Sequence, residues 1–294
     1  MLYAVLGVLG LLTLIFSFAF IRDVLANKDQ FEKETNFWIS GAIGFVINFF
    51  DTLGIGSFAP ATALLRGFKQ IKDRVIPGTL NVSCTWPVVA EAFIFMTIIK
   101  VEPITLISML ISATIGAWVG AALVSRFDEK KVQVVMGLAL IVTAFFIVAG
   151  NMGWMPIGGE EIGLTGVKLI IAVVVNFVLG AMMSFGVGLY APCMALVFLM
   201  GMSPKVAFPI MMGSCAYLMP VGSIKFIKEG AYAKKASIAI ALFGVAGVFV
   251  AAFLVKSLPL NILKWLVVGV VFYTAVTLLM AGLKKKAPEA EKAE

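Results

Sequence analysis

Long apolar stretches constrain this chain more than any other feature of its sequence. Nine of them follow one another, at residues 2–21, 38–65, 76–97, 103–124, 132–149, 167–199, 207–224, 235–255 and 262–283. A helix of about 20 apolar residues crosses the hydrocarbon core of a bilayer. Seven stretches have about that length, whereas 38–65 and 167–199 are too long for one simple span. The pattern predicts an all-α integral membrane protein.

The first stretch has the features of a retained membrane helix rather than of a secretory signal peptide. No basic residue precedes its apolar core, the core is about 20 residues long, and no small-residue cleavage site follows it. Arg22 comes directly after it. Because basic residues are concentrated in cytoplasmic loops, Arg22 places the downstream end of this helix in the cytoplasm and the N-terminus outside.

The residue types argue against several kinds of chemistry. The chain has no histidine, and its cysteines, Cys84, Cys193 and Cys215, form neither a CxxC pair nor a zinc-binding spacing. It has no P-loop, the glycine-rich loop that binds the phosphates of ATP. We therefore expect a protein that is not an enzyme and has no metal or cofactor. The net charge of +7 is interpreted as a sign of topology rather than of nucleic-acid binding.

The two overlong stretches are interrupted at matching places. Residues 54–60 read GIGSFAP and residues 186–192 read GVGLYAP, so two glycines, an aromatic residue, an alanine and a proline recur in the same order. Further along, GAWVGAALV at 116–124 corresponds to GVFVAAFLV at 247–255. An internal repeat of this kind is typical of membrane transporters.

The repeat divides the chain into five parts. They are an extra N-terminal helix with a cytoplasmic linker at 1–37, a first repeat unit at 38–149, an external linker at 150–166, a second unit at 167–283 and a disordered cytoplasmic tail at 284–294. Within the first part, residues 23–37 are expected to form a surface helix.

The distribution of lysine and arginine indicates how the interrupted stretches lie in the membrane. If each is a re-entrant hairpin, the cytoplasmic segments hold 18 Lys and Arg residues and the outside loops hold 5, whereas two crossing stretches would give 10 inside and 13 outside. The cytoplasmic loops are then 22–37, 66–75, 125–131 and 225–235, and the outside loops are 98–102, 150–168, 200–206 and 256–264. The positive-inside rule favours the hairpins. Each unit keeps three full spans, an odd number, so the units are predicted to be inverted.

Two hairpins from opposite faces would bring their tips together near the middle of the membrane. Irregular backbone at that depth is tolerated where it lines a polar cavity. The helices after the breaks begin at Ser57 and Leu189, and a helix N-terminus offers free N–H groups and partial positive charge to an anion. The predicted substrate-binding residues are Thr52, Gly54, Gly56, Ser57, Pro60, Asn81, Ser184, Gly186, Gly188, Tyr190, Pro192, Cys193 and Ser214.

Several polar side chains have two open interpretations. Asp51 stands at membrane depth just before the first break, where it is either a proton carrier or a structural cap of the hairpin. The hydroxyls of Thr52 and Ser184 either face the anion or bond back to their own helix. Glu91 and Lys225 are interpreted as lying near the ends of spans, with side chains that reach the membrane surface.

The paired GIGSFAP and GVGLYAP segments, the polar GTLNVS at 78–83, the GSC at 213–215 and the twofold repeat resemble the sulfite exporter TauE/SafE family, also called the toluene sulfonate uptake permease family. The resemblance covers roughly residues 36–283. It implies a membrane carrier for sulfite, thiosulfate, sulfonates or related organosulfur anions. Members often carry a longer glycine run and then a Gly-Thr-Ser motif, where this chain has GIG at 54–56 and GTL at 78–80.

The residues and the resemblance together predict a secondary carrier that exports sulfite. Uptake of a sulfonate, thiosulfate or related anion is the alternative within transport. A thiol redox or assembly protein that uses Cys193 and Cys215 is the alternative outside it. The expected partners are the sulfur anion and the lipid of a bacterial-type inner membrane, with a homodimer left open and no nucleic acid.

Overall fold

The computed structural model describes residues 2–154, 158–254 and 260–284. Within these ranges the chain forms eleven α-helices and no β-strand, so the prediction of an all-α membrane protein is confirmed. The helices are α1 (Leu2–Ala26), α2 (Phe37–Thr52), α3 (Phe58–Gly67), α4 (Ile76–Ile98), α5 (Pro103–Val124), α6 (Glu129–Asn151), α7 (Gly166–Met183), α8 (Tyr190–Leu199), α9 (Pro204–Lys228), α10 (Lys234–Leu254) and α11 (Leu260–Leu283). The predicted tail beyond Lys284 lies outside the described residues, as do residues 255–259.

Seven helices in the described part of the chain are long and apolar enough to cross a membrane: α1, α4, α5, α6, α7, α9 and α10. The 23 residues of α4 extend about 34 Å at 1.5 Å per residue, which exceeds a hydrocarbon core of about 30 Å. Seven spans were predicted, but the seven helices that meet this criterion are not the same seven. Length and composition admit α7, which was predicted as a hairpin arm, whereas the part of α11 with described side chains, Val271–Leu283, is shorter.

The expectation for residues 23–37 is wrong. Instead of a separate surface helix, α1 continues to Ala26 and is followed by a single 3-10 turn at Lys28–Gln30. The apolar pattern marks where a helix leaves the membrane, and not where its backbone stops being helical. The irregular chain beyond the turn has its own contact, since the Glu32 carboxylate accepts from the first two N–H groups of α10, at 2.8 and 2.9 Å.

Each interrupted stretch turns back on itself, as predicted. Thr35 Oγ1 donates to the carbonyl of Gln70 at 2.7 Å, which brings the start of α2 beside the end of α3. In the second stretch, Lys168 Nζ donates to the carbonyl of Met200 at 3.2 Å, so the start of α7 lies beside the end of α8. We name these structures hairpin 1 (α2 and α3) and hairpin 2 (α7 and α8).

Hydrogen bonds join the loops into two groups, one at each end of the spans. The first group holds the bonds Thr35–Gln70, Gln133–Asp73, Arg126–Glu229 and Lys234–Glu32. The second holds Glu102–Ile162, Ser203–Glu161 and Lys168–Met200. Hairpin 1 opens toward the first group and hairpin 2 toward the second. Each group contains loops that were predicted to share a side, and the predicted outside loop at 256–264 lies partly outside the described residues. The inversion of the whole units and the cytoplasmic side stay predictions.

The long arm of each hairpin packs against a helix of the other predicted unit. Helix α2 packs on α10, and α7 packs on α5. A Cβ at Gly44 of α2 would lie 2.5 Å from the Cα of Ile240, and a Cβ at Gly116 of α5 would lie 2.0 Å from the carbonyl oxygen of Phe177. Backbones this close require small residues at the contact. Backbone contact therefore holds both long arms in place, whereas α1 packs on α4 and α9.

Candidate functional site

The tips of the two hairpins meet inside the protein. A Cβ added at Gly56 would lie 3.8 Å from the Cβ of Tyr190, and one added at Gly188 would lie 3.9 Å from the Cβ of Phe58. These are ordinary van der Waals distances. The tip of hairpin 1 therefore touches the first turn of α8, and the tip of hairpin 2 touches the first turn of α3.

Glycine makes the sharp turn of hairpin 1 possible. Helix α2 ends at Thr52, and the chain then passes through Gly54 at φ 86° and Gly56 at φ 90° before α3 begins. This left-handed region costs a residue with a side chain about 1–2 kcal/mol. In hairpin 2 only Gly186, at φ 89°, requires this conformation, since Gly188 is not among the residues with positive φ.

Both short arms begin at the tips without a side-chain cap. Helix α3 follows Ser57 and α8 follows Leu189, as predicted, and neither residue makes a capping hydrogen bond with its side chain. The first N–H groups of each helix have no partner within the helix. Pro60 and Pro192 are each the third residue of their helix, where a missing N–H removes no helical bond. Two partly positive helix ends therefore adjoin the space between the tips.

A small cavity occupies that space. It is lined by Asp51, Gly56, Ser57, Phe58, Val88, Met183, Gly188, Leu189 and Tyr190. Its volume is about 10 Å³, close to what a single water molecule needs. Sulfite has four non-hydrogen atoms and does not fit, so the tips are closed in this conformation.

Asp51 provides a carboxyl group to this cavity. Its side chain is buried, at 1% exposure, and neither carboxyl oxygen makes a hydrogen bond of standard length and angle. The ion pairs found among the described residues do not include it. The hydroxyl and the backbone N–H of Ser57, at the start of α3, are donors close to this carboxyl. The interpretations of Asp51 as a proton carrier and as a cap of the hairpin therefore both stay predictions, and a carboxyl buried without an ion pair is typical of functional sites in membranes.

Glu91 is a second buried carboxyl, and the expectation that it reaches the membrane surface is wrong. It is fully buried, with the Tyr190 hydroxyl donating to Oε2 at 2.7 Å and the Thr52 hydroxyl 2.9 Å from Oε1. Helix α4 continues for seven residues beyond Glu91, to Ile98, so this position is not at the end of the span. The available signal was the rule that a carboxyl inside a membrane helix is usually functional.

Four of the predicted polar residues have defined partners. Thr52 belongs to the tip through its contact with Glu91. The Ser184 hydroxyl donates to the carbonyl of Ala117 in α5 at 3.0 Å, so it joins hairpin 2 to its neighbour. Asn81 Nδ2 donates to the carbonyl of Pro77 in its own helix, and Ser214 accepts from the amide of Asn176 at 3.0 Å. Ser184, Asn81 and Ser214 are not among the residues that line the cavity.

The other predicted residues adjoin the tips without lining the cavity. Gly54 faces Phe208 and Met211, and Gly186 faces Met136. Cys193 is fully buried and, like Cys84 and Cys215, is a free thiol. The Sγ of Cys215 lies 3.5 Å from the Sδ of Met183. The cysteines therefore form no disulfide, and nothing in this arrangement favours the thiol redox alternative.

A larger cavity of about 600 Å³ lies at the base of hairpin 1. Its lining includes Arg66, Lys69 and Lys72 together with Glu34, Asp73 and Glu129. Arg66 Nε pairs with Asp73 at 3.2 Å, and its guanidinium also donates to the hydroxyl of Thr277. Three cations and three acids balance in number, so this cavity has no excess charge that would select an anion.

Interrupted helices whose tips meet inside a bundle of apolar spans, with a carboxyl at the meeting point, are typical of membrane transporters. The family model described as Sulfite exporter TauE/SafE matches residues 1–147, which include α1, hairpin 1, α4, α5 and most of α6. The chain belongs to this family, which consists of multi-pass membrane transporters rather than enzymes. Comparison with curated proteins and with solved structures gives no match.

Proposed function

We propose that the protein is a secondary transporter that exports sulfite and holds the anion between the tips of its two hairpins. One observation carries the proposal. Two helix N-termini, from hairpins that open toward opposite groups of loops, meet at one buried cavity, and neither N-cap residue caps its helix with its own side chain. A substrate held there could be released to either side if one hairpin or the other moves.

The proposed binding energy comes from the backbone and from hydroxyl groups. No lysine or arginine is among the described residues that line the cavity. Each helix N-terminus contributes on the order of 0.3–2 kcal/mol to holding an anion, and each hydrogen bond to a charged group contributes about 1.5–3 kcal/mol. Ser57 and Tyr190 are the residues of the lining that carry hydroxyl groups, and the Tyr190 hydroxyl becomes available once it leaves Glu91. This is a modest affinity, which suits a carrier that must release its substrate.

The Asp51 carboxyl sets a condition on binding. An anion beside ionised Asp51, which lines the cavity, would be repelled, because like charges at close range interact unfavourably in a medium of low polarity. The anion can therefore bind only when Asp51 is neutral. We propose on this ground that Asp51 carries a proton during transport, and that a proton gradient drives the cycle.

The main test is transport in liposomes that contain the purified protein. We expect labelled sulfite to cross faster than in empty liposomes and to respond to an imposed pH gradient. Gly188→Leu should abolish this flux, because its side chain would fill a cavity of only about 10 Å³. Gly10→Leu is the matched control, since a Cβ at Gly10 meets nothing within 4 Å.

The same assay separates the alternatives. Unlabelled thiosulfate or a sulfonate that competes better than sulfite itself would assign the site to uptake of that anion. Sulfite flux equal to that of empty liposomes, in a preparation that is folded by size-exclusion chromatography, would reject sulfite as substrate. Flux that survives Gly188→Leu would show that the anion passes elsewhere.

We also propose that the first group of loops faces the cytoplasm. Glu34→Cys and Glu160→Cys place single thiols on opposite loop groups, and the three native thiols are buried. An impermeant maleimide applied to intact cells should label position 160 and not position 34. The reverse pattern would invert the assigned orientation.

A further inference from the structure

Glu91 links the two hairpins. Its Oε2 accepts from the Tyr190 hydroxyl at the start of α8, and its Oε1 lies 2.9 Å from the Thr52 hydroxyl at the end of α2. Glu91 itself belongs to α4, which is part of neither hairpin. When the tips part, at least one of these two hydrogen bonds must break.

The Thr52 and Tyr190 hydroxyls can join the tips to Glu91 in either protonation state of its carboxyl. The Thr52 hydroxyl has one hydrogen and two acceptors within reach, the Asn48 carbonyl at 2.8 Å and Glu91 Oε1 at 2.9 Å. If Oε1 is protonated, it donates to Thr52, Thr52 donates to Asn48, and Tyr190 donates to Oε2. If Glu91 is ionised, Thr52 and Tyr190 both donate to it, and the Asn48 carbonyl keeps its backbone bond within α2. The two states therefore differ chiefly in the buried charge itself.

The surroundings of Glu91 provide no compensating positive charge. The titratable groups that face it or the same cavity are Asp51 on α2, Tyr190 on α8 and the thiols of Cys84 on α4 and Cys215 on α9. All of these are either neutral or negative. The ion pairs of the described residues include none of them. An ionised Glu91 would be an isolated buried charge beside a second carboxyl.

We propose that Glu91 is a proton-dependent latch that holds the two hairpin tips together. With a proton, it joins Thr52 and Tyr190 and keeps the cavity closed. When the proton leaves, Glu91 becomes an isolated negative charge beside Asp51, and the tips separate so that water can reach it. This inference rests on the proposed function for its purpose, but not for its test, because opening of the tips can be measured without substrate.

The test measures access to the cavity. Val88 lines the cavity and is 1% exposed, so Val88→Cys, in a background with Cys84, Cys193 and Cys215 replaced by alanine, reports on opening. Labelling by a small charged thiol reagent is compared between this parent and the same protein with Glu91→Gln, in mildly acidic and mildly alkaline buffer. Comparison at the same pH cancels the pH dependence of the thiol itself.

Glutamine mimics the protonated form, since its amide donates to Thr52 and its oxygen accepts from Tyr190. We expect equal labelling of the two proteins in acid. In alkali the parent should label at least about tenfold faster, because its unpaired buried charge favours tips that are open to water. Equal labelling in alkali as well, with both proteins folded, would overturn the latch.

Two further variants keep the test decisive. Tyr190→Phe breaks one bond of the latch and should raise labelling in acid by about threefold to tenfold, so unchanged labelling in acid would contradict the proposal.

Asp51→Asn should leave the pH dependence of labelling in place. If Asp51→Asn removes that dependence and Glu91→Gln does not, the proton that closes the tips belongs to Asp51. A protein that opens with pH but moves no sulfite would reject the proposed substrate and keep the latch.

Discussion

Hairpin 1 and hairpin 2 share a backbone design but not its chemistry. Each ends its long arm at a glycine-containing turn, begins its short arm without a side-chain cap and carries proline as the third residue of that arm. At the end of the long arm, however, hairpin 1 has Asp51 and Thr52, where hairpin 2 has Met183 and Ser184. Thr52 reaches Glu91, whereas Ser184 bonds to the backbone of α5.

This difference separates two requirements of the site. Two helix ends are needed to surround an anion, and both hairpins supply one. Proton chemistry needs only one set of carboxyls, and both Asp51 and Glu91 come from the first half of the chain, the half that matches the family model. The second half contributes the Tyr190 hydroxyl, which donates a hydrogen bond to Glu91. The arms of the two hairpins should therefore respond alike to mutation, and the tips should not.

The largest expected effect tests the likeness of the arms. Gly44→Val and Gly116→Val each place a side chain into a backbone contact, at 2.5 and 2.0 Å. We expect both to destabilise the fold by about 3 kcal/mol or more, seen as loss of the monodisperse peak in size-exclusion chromatography. Gly7→Val, with nothing within 4 Å of its Cβ, is the control. A severe effect in only one arm would show that the hairpins are not held equivalently.

The next effect tests the difference between the tips. Asp51→Asn should remove the response of sulfite flux to a pH gradient, because an amide cannot carry the proton. Met183→Leu, at the matching position of hairpin 2, should keep it. A gradient of one pH unit supplies about 1.4 kcal/mol, so we expect up to about tenfold stimulation in the parent and none in Asp51→Asn. Sulfite changes its own charge with pH, and thiosulfate is therefore the control anion. A parental response in Asp51→Asn would remove the proton role of Asp51.

The smallest expected effect is a difference in stability between alanine substitutions at the two glycines that line the cavity. Gly56 has φ 90°, whereas Gly188 has no positive φ. Gly56→Ala should lower the free energy of unfolding by about 1–2 kcal/mol, and Gly188→Ala should change it by no more than about 0.5 kcal/mol. Thermal unfolding in detergent measures both. Equal destabilisation would mean that the turn of hairpin 2 is as constrained as that of hairpin 1.

The sequence predicted the backbone of the site well, because the features that form it are local. The glycines, the prolines and the overlong stretches mark where helices break, and the distribution of lysine and arginine indicates that the breaks turn back. The starts of the short arms, after Ser57 and Leu189, agree with the structure. The long arms were also placed correctly, although their close glycine contacts with α5 and α10 were not foreseen.

The side chains at the centre were harder to predict, because their partners come from distant parts of the chain. Glu91 is 39 residues from Thr52 and 99 residues from Tyr190 in sequence. Nothing in the α4 sequence itself shows which of its faces meets the tips. Asn81 and Ser214 had the same polar character but bond within the helix bundle. Polarity at membrane depth identified candidates, and only the fold distinguished those that reach the cavity.

The contact between α2 and α10 also has a consequence for how the protein is made. Ile240, which packs on Gly44, is synthesised about 200 residues after it. At about 5–20 residues per second, the ribosome needs about 10–40 s to supply this partner. During that time α2, with Asn48 and Asp51 on it, has been inserted without the helix that will cover it. We expect the first half of a newly made chain to stay with the insertion machinery until α10 emerges.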